Sequence, residues 1–230
     1  MKKILYLYSG EGTKNSESKP ELLKHSKYWS EIDAILSSKL KLNLEEIWNN
    51  EIDKHRCPYS PLLTVASQIC LSDIWTQWGY KPDVVIGHSV GELSAAFQAG
   101  LYSLEDILLL TYQIGEVAAN LNGVMLHGKL SDQQIDQLSV NLSSLNFVDD
   151  AKKHVTLSGY ADVMMNFMSK NSDFIKMRLP HPWHHPDYRK FMDKINIIKS
   201  NKMSDVKFVS GVTTDFENQL EDAHWRYWLT

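Results

Sequence analysis

Residues 85–92 read VIGHSVGE, with Ser89 between Gly87 and Gly91 directly after an apolar run. A G-x-S-x-G turn joining a strand to a helix is a nucleophile elbow. The chemistry explains the residue types. The serine must stand on a sharp turn so that its hydroxyl projects into a cleft. Glycines on either side remove side chains that would collide with the neighbouring strand and helix. The helix that follows turns its positive end and free N–H groups toward the hydroxyl, where they stabilise a developing oxyanion. The N–H of Val90 is the natural donor, and Ser89 is the candidate nucleophile.

A serine hydroxyl needs a base, and the chain has nine histidines. His88 adjoins the serine but should point elsewhere on a sharp turn, and reads as structural. His127, His154 and His224 fall in ordinary strand or helix contexts. The candidates lie in PHPWHHP (180–186), which holds His181, His184 and His185. Pro180, Pro182 and Pro186 stiffen the segment and block regular structure. A rigid loop is a good place to hold a base. A surface loop or a metal-binding loop is the alternative reading of the same residues.

These groups need elements to position them. Ile4 to Tyr8 reads as a buried strand and SGEGT (9–13) as a glycine-rich turn. Helical spacing covers Tyr28 to Leu40 and Leu42 to Trp48. Ser60-Pro61 predicts the start of a long helix, with the serine as cap and the proline in the first turn, and Gly79 as its stop. Asp83 to Ile86 is a short buried strand. Glu92 to Ala99 is a helix ended by Gly100, and Ser103 caps a further helix to about Leu121. From Gly123 the pattern predicts strand Val124–Gly128, helix Ser131–Leu142, strand His154–Leu157, helix Asp162–Ser169 and strand Phe174–Leu179. This β-α-β-α-β run suits a small ferredoxin-like insert. A helix from Asp187 to about Ile198, a strand Val206–Ser210 and a final helix around Trp225 follow. The expected fold class is α/β: an α/β-hydrolase-like core with a parallel sheet and nucleophile elbow, plus an inserted ferredoxin-like α+β subdomain. Residues 1–121 and 186–230 form the expected core, and 122–185 the insert.

Composition agrees with that size. A chain of 230 residues allows one full domain with a small subdomain, and 43% hydrophobic residues supply a sizeable core. The net charge is −4 without a basic stripe, which argues against nucleic acid as a partner. Cys57 and Cys70 are too few for a disulfide framework or a zinc site. The apolar run after Lys3 ends at Ser9, too short for a signal peptide. No segment approaches a membrane span in length, so a cytoplasmic location without a membrane partner is expected.

The chain resembles the malonyl-CoA:acyl-carrier-protein transacylase family, which includes the acyltransferase domains of polyketide and fatty acid synthases. Four segments carry the resemblance in the right order. YSGEGT (8–13) resembles F-P-G-Q-G-S/T. SPLLTVASQICLSDIWTQWGYKPDVVIGHSVGE (60–92) follows the family's helix, strand and G-H-S-x-G-E elbow. HPWHHP (181–186) resembles H-A-F-H-S-P, and VKFVSGVTTD (206–215) with RYWLT (226–230) resembles the closing strand and the Y-W helix. The resemblance implies a ping-pong mechanism without a bound cofactor. Ser89 attacks an acyl thioester of CoA or of acyl carrier protein, and His184 accepts and returns the proton. The thiol of a carrier-protein phosphopantetheine arm then takes the acyl group. The backbone N–H groups of Glu11 and Val90 would form the oxyanion hole. A main-chain carbonyl beyond the Y-W segment would orient the histidine.

Departures from the family pattern bear on the substrate. Malonyl-selective members carry an arginine about eight residues into the helix after L-E-D, where its guanidinium holds the substrate carboxylate. Here that helix reads LEDILLLTYQIGEV, which places Ile114 there, or Gln113 if the register slips by one. Glu11 replaces a glutamine. As an anion ~6 Å from a substrate carboxylate it would cost roughly 3 kcal/mol at an effective dielectric of about 20. Ser60 stands where a glutamine is usual, and Trp183 where a phenylalanine is. Family members continue for a few dozen residues beyond the position of Thr230, so a truncated or short chain with a less firmly held base is expected. The expected function is transfer of a non-malonyl acyl group to a carrier protein. A thioester hydrolase that clears carrier proteins, a non-catalytic carrier-protein docking module and an unrelated lipase-type hydrolase are the competing readings.

Overall fold

The computed structural model describes residues 3–12, 20–50, 53–138, 140–146, 153–179, 181–196, 198–201, 204–211 and 213–217. The predicted helix around Trp225 and the RYWLT segment lie outside the described residues, as do Pro180 and parts of the loops 9–27 and 144–153.

In chain order the elements are β1 (Leu5–Tyr8), α1 (Pro20–Leu23), α2 (Lys27–Ile35), α3 (Leu44–Asn49), α4 (Tyr59–Gln77), β2 (Val84–Gly87), α5 (Gly91–Gln98) and α6 (Leu104–Ala118). They continue as β3 (Gly123–Leu130), α7 (Asp132–Asp136), β4 (Asn141–Asn146), β5 (Lys153–Tyr160), α8 (Ala161–Lys170), β6 (Ile175–Lys176), β7 (Lys207–Val209) and β8 (Phe216–Glu217). Two four-stranded sheets result. The first runs β1-β2-β7-β8, and the second β4-β5-β3-β6.

In the first sheet β1, β2 and β7 are parallel, and β8 adds antiparallel to β7. The chain therefore has the expected α/β core. Parallel neighbours need long crossovers, and the intervening helices supply them. Among these, α4 is apolar around most of its circumference, so it is buried. Leu62, Val65, Ala66, Ile69 and Cys70 are all at most 1% exposed. Gly115 lets α6 approach the loop before α4, because a Cβ there would fall 2.7 Å from Pro58 Cα. The cap predicted at Ser103 is present: its Oγ accepts from Asp106 N at 3.1 Å.

Several local expectations are corrected. β1 is an edge strand among the described residues, with Leu5 58% and Leu7 72% exposed and Tyr8 buried, so only one face reaches the core. Ser60 is not a cap: α4 begins at Tyr59 after Pro58, and Ser60 lies in its first turn. The helix over Tyr28 to Leu40 stops being α-helical at Ile35 and ends in a π turn, Leu36–Leu40, with Lys41 at φ +59°. The predicted helix after Asp187 is a 3₁₀ helix, Pro186–Lys194. Tyr188 and Phe191 pack on the core from it, and their spacing of three suits three residues per turn.

The second sheet is ferredoxin-like, with four strands where the sequence pattern predicts three. All its pairings are antiparallel, and its own core is built from Val124, Leu126, Leu130, Val155, Leu157, Met164 and Phe174. The unpredicted strand is β4: the helix expected over Ser131–Leu142 would cover only its first two residues, and α7 is only five residues long. A register shift between Leu142 and Ser144 explains the misreading. A bulge puts Leu142 and Leu145 three apart and breaks the alternation that marks a strand. The strand predicted over Phe174–Leu179 shortens to Ile175–Lys176. Among the described residues no helix is long and apolar enough to cross a membrane.

Candidate active site

The site begins where β2 ends. The chain turns through His88 and Ser89 and enters α5 at Gly91. Ser89 sits at φ +53°, a strained backbone for a residue with a side chain. The turn is held by His88 N donating to Tyr8 O at 2.9 Å and Gly91 N to His88 O at 3.0 Å. Both motif glycines are sterically required. A Cβ on Gly87 would lie 2.3 Å from Glu92 N, and one on Gly91 2.5 Å from the carbonyl oxygens of Tyr8 and Ser9.

Two polar residues that sequence reasoning did not single out lock this turn in place. The buried Glu92 carboxylate accepts from Ser210 Oγ at 3.0 Å and Gly211 N at 3.2 Å, tying α5 to the end of β7. The buried Gln68 side chain donates from Nε2 to Ser9 O at 2.8 Å and accepts at Oε1 from Ser94 Oγ at 2.6 Å. It clamps the SGEGT turn to α5. The sequence signal was weak: Gln68 is one of several polar residues in this helix, Ser67, Ser72 and Asp73 among them.

His184 reaches the serine. Its Nε2 lies 2.9 Å from Ser89 Oγ. The histidine sits at φ +60°, the second strained residue of the pair. Burial, and then the neighbouring His88, push its pKa down to about 4. The imidazole is therefore neutral near pH 7, and Nε2 can accept the serine proton. Of the other two histidines of the loop, His185 is engaged elsewhere. It stacks edge-on against Tyr160 at 5.4 Å and its Nδ1 accepts from Asp187 N at 3.2 Å. His181 is half-buried, its pKa lowered by burial. The Y-W segment expected to orient the base lies outside the described residues.

Glu11, Ser89, Val90, Leu93, Ile114 and Trp183 line one cavity. About 10 Å³ of it is open to the centre of a water-sized sphere, room for about one water. The SGEGT turn abuts the elbow closely: a Cβ on Gly10 would lie 2.9 Å from His88 Nδ1 and 3.4 Å from Ser89 Cβ. Val90 precedes the first residue of α5, so its N–H has no acceptor within the helix. Ile114 is on the cavity wall, whereas Gln113 is turned away and accepts from Asn196 N at 3.1 Å. Trp183 is 7% exposed and packs against Tyr188, its ring centroid 6.2 Å away.

The charge expected on Glu11 is corrected. Its two carboxyl oxygens are buried, and burial raises its pKa to about 7. The Ser60 hydroxyl and the Trp183 ring lie close enough to offset part of that cost, yet neither Glu11 oxygen closes a hydrogen bond of normal geometry. The group is thus about half protonated at neutral pH rather than a fixed anion. Completing its protonation beside a substrate carboxylate costs on the order of 1 kcal/mol or less, so Glu11 repels less than the roughly 3 kcal/mol of a fixed anion. Among the described residues no group of three or more His, Cys, Asp or Glu could hold a metal ion.

The fold is shared with solved acyltransferases. The acyltransferase domain from the second module of the salinomycin polyketide synthase superposes over 99% of this chain and 57% of that chain, with a TM-score of 0.79 at 21% identity. A loading acyltransferase from the avermectin modular polyketide synthase superposes over 99% and 79%, with a TM-score of 0.80 at 18% identity. The malonyl-CoA:ACP transacylase of Synechocystis sp. PCC 6803 gives 99% and 80%, with a TM-score of 0.74 at 18% identity. These define a class: a serine elbow on an α/β core joined to a ferredoxin-like sheet. In sequence, the highly reducing polyketide synthase tstA of Talaromyces stipitatus is 30% identical over 176 residues, 69% of this chain and 7% of that protein. The pikromycin polyketide synthase component PikAII of Streptomyces venezuelae is 30% identical over 156 residues, 63% of this chain and 4% of that protein. Residues 5–173 match the family described as the acyl transferase domain, and the chain belongs to that family.

Proposed function

We propose that the chain is an acyltransferase that moves a non-malonyl acyl group from a CoA or carrier-protein thioester to the phosphopantetheine thiol of an acyl carrier protein, through an acyl-Ser89 intermediate. The observation that carries this reading is the 2.9 Å contact between Ser89 Oγ and His184 Nε2 beside a small cavity. Neutral His184 takes the Ser89 proton as Oγ attacks the thioester carbonyl. The oxyanion is held by the N–H groups of Val90 and Glu11. The C–S bond breaks, and the leaving sulfur takes the proton from His184. In the second half His184 deprotonates the incoming thiol, whose sulfur attacks the acyl-serine, and the proton returns to Ser89. The names of the relatives, polyketide synthases and a malonyl-CoA:ACP transacylase, support a carrier-protein thioester as the substrate class.

The non-malonyl specificity rests on Ile114. Among the described residues that line the cavity none carries a cationic side chain, so a malonyl carboxylate would meet no counter-ion from them. The division into a core of residues 1–121 and 186–230 and an insert of 122–185 belongs to the same proposal. The four strands between Gly123 and Lys176 form their own sheet over their own core, and Tyr188 returns the chain to the larger core.

Intact-protein mass spectrometry with acetyl-CoA and malonyl-CoA, followed by addition of phosphopantetheinylated carrier protein, tests the reading. The expected result is an acetyl mass on Ser89, absent in Ser89→Ala, that moves to the carrier. Faster labelling by malonyl-CoA would overturn the specificity. Release of free acid at the same rate with no carrier present would make the chain a hydrolase, and no labelling by any acyl-CoA would make it a docking module.

A further inference from the structure

The cavity at Ser89 holds one group that the acyl-transfer steps do not use. The Glu11 backbone serves the oxyanion, but its side chain is buried beside the nucleophile with neither oxygen in a hydrogen bond of normal geometry. A carboxyl in that position is costly, and an apolar residue of similar size would avoid the cost. The rest of the wall explains what the carboxyl is for. Val90, Leu93, Ile114 and Trp183 present apolar surface, and Ser89 is committed to the reacting carbonyl. Glu11 is thus the only ionisable side chain on the cavity wall among the described residues.

The groups facing Glu11 from its surroundings do not satisfy it. Ser60 on α4 and Trp183 on the histidine loop approach it without closing a bond. Cys57 and Tyr188 lie within electrostatic reach, and burial drives both pKa values up, so they stay neutral. His184 is neutral as well. Nothing among these supplies the positive charge that a buried carboxylate needs.

We propose that Glu11 selects the acyl group, and that this group carries a protonated amine: a short aminoacyl thioester whose ammonium pairs with the Glu11 carboxylate while its carbonyl lies at Ser89 Oγ. The proposal rests on Ser89 being the acylated residue. The charge type follows from the chemistry of the side chain. A neutral hydroxyl or keto group would be served as well by an amide of the same shape, without the cost of burying an ionisable carboxyl. A carboxylate ligand would meet either a like charge or a carboxylic acid with no cation behind it. An ammonium donates to both oxygens and supplies the missing charge. With room for about one water, the cavity allows only the shortest chains between carbonyl and amine, a glycyl or β-alanyl unit, and its wall must yield to admit them. The transfer itself is unchanged: the Ser89 Oγ–carbon bond forms, the carbon–sulfur bond breaks, and His184 carries the proton from Oγ to the leaving thiol.

The test compares acyl-CoAs that differ only at the terminal group. Glycyl-CoA and β-alanyl-CoA are set against their methyl isosteres propionyl-CoA and butyryl-CoA, and against 3-hydroxypropionyl-CoA, with initial rates of Ser89 acylation read by intact mass. The expected result is that one of the two amino compounds labels the protein at least ~10-fold faster than its isostere. In Glu11→Gln the ratio of amino-compound to isostere labelling should fall at least ~10-fold. For β-alanyl-CoA, whose amine stays protonated over the range, the preference should also grow from pH 6 to pH 8 as Glu11 ionises, and not do so in Glu11→Gln. Equal or faster labelling by the isosteres or by the hydroxy compound, or a preference that survives Glu11→Gln, would overturn the proposal. Labelling by acetyl-CoA with none by the amino compounds would overturn it and leave the acyltransferase reading intact. If no acyl-CoA labels Ser89, that reading fails. Binding of β-alanyl-pantetheine and butyryl-pantetheine to Ser89→Ala by calorimetry then decides whether Glu11 holds a cation, and equal affinities would sink it. Glu11→Leu, which cannot be confused with an amide donor, serves as the second variant.

Discussion

Replacing Glu11 by glutamine should stabilise the protein, and by an amount that depends on pH. In the folded chain burial holds the Glu11 carboxyl at about 7, against its ordinary value of 4.5. Between those values the folded protein keeps a proton that the unfolded chain releases, so stability falls as pH rises. The contribution is fully present below the unfolded value and is lost as pH climbs through the folded one. The span of 2.5 in pH at 1.36 kcal/mol each gives about 3 kcal/mol by pH 8. Glutamine has the same shape and does not titrate. Urea unfolding of both proteins at pH 4.5 and pH 8 isolates the effect, because every other titrating group is common to the two. The variant should gain about 3 kcal/mol relative to wild type between the two pH values. A gain that is the same at both pH values would refute the burial of this carboxyl. A positive result would identify Glu11 as a residue kept at a cost to stability, which is expected of a group that serves binding.

Three further outcomes follow from the geometry. With His184 held at about 4, acylation of the Glu11→Gln variant by acetyl-CoA should keep about 90% of its plateau rate at pH 5; a base at its ordinary value of 6.5 would leave about 3%, and quenched single-turnover mass spectra distinguish these. Ile114→Arg in the Glu11→Gln background should raise the ratio of malonyl to acetyl labelling at least ~10-fold, since the guanidinium then has no internal partner in the cavity; an unchanged ratio would remove Ile114 from the specificity argument. Gly91→Ala, whose Cβ would lie 2.5 Å from two carbonyl oxygens of the β1 end, should cost at least about 2 kcal/mol in urea unfolding and abolish labelling, and a stable, active variant would show that the elbow is built differently.

Much of the site was legible in the chain because its chemistry is local. GHSVGE specifies its own turn: the two glycines and the serine between them adopt one geometry wherever a strand feeds a helix. The register of α6 was not legible, because Gln113 and Ile114 differ by one residue and each suits a helix. Packing decided it, turning Ile114 to the cavity and Gln113 to Asn196. β4 was missed because a bulge breaks the alternation that marks a strand. β1 was read as buried from its apolar letters, but burial depends on neighbours, and an edge position leaves Leu5 and Leu7 exposed.

The sequence by itself marked the candidate nucleophile, the loop that carries its candidate base and the glycine-rich turn beside it, because each is a short stretch whose residue types dictate its backbone. The residues alone left three histidines open and the family resemblance singled out His184; the tertiary structure brings its ring to 2.9 Å from Ser89 across 95 residues of chain. The tertiary structure alone revealed the state of Glu11. A glutamate written in a sequence is an anion by default, and what raises its pKa to about 7 is the desolvation imposed by groups from distant parts of the chain meeting around it.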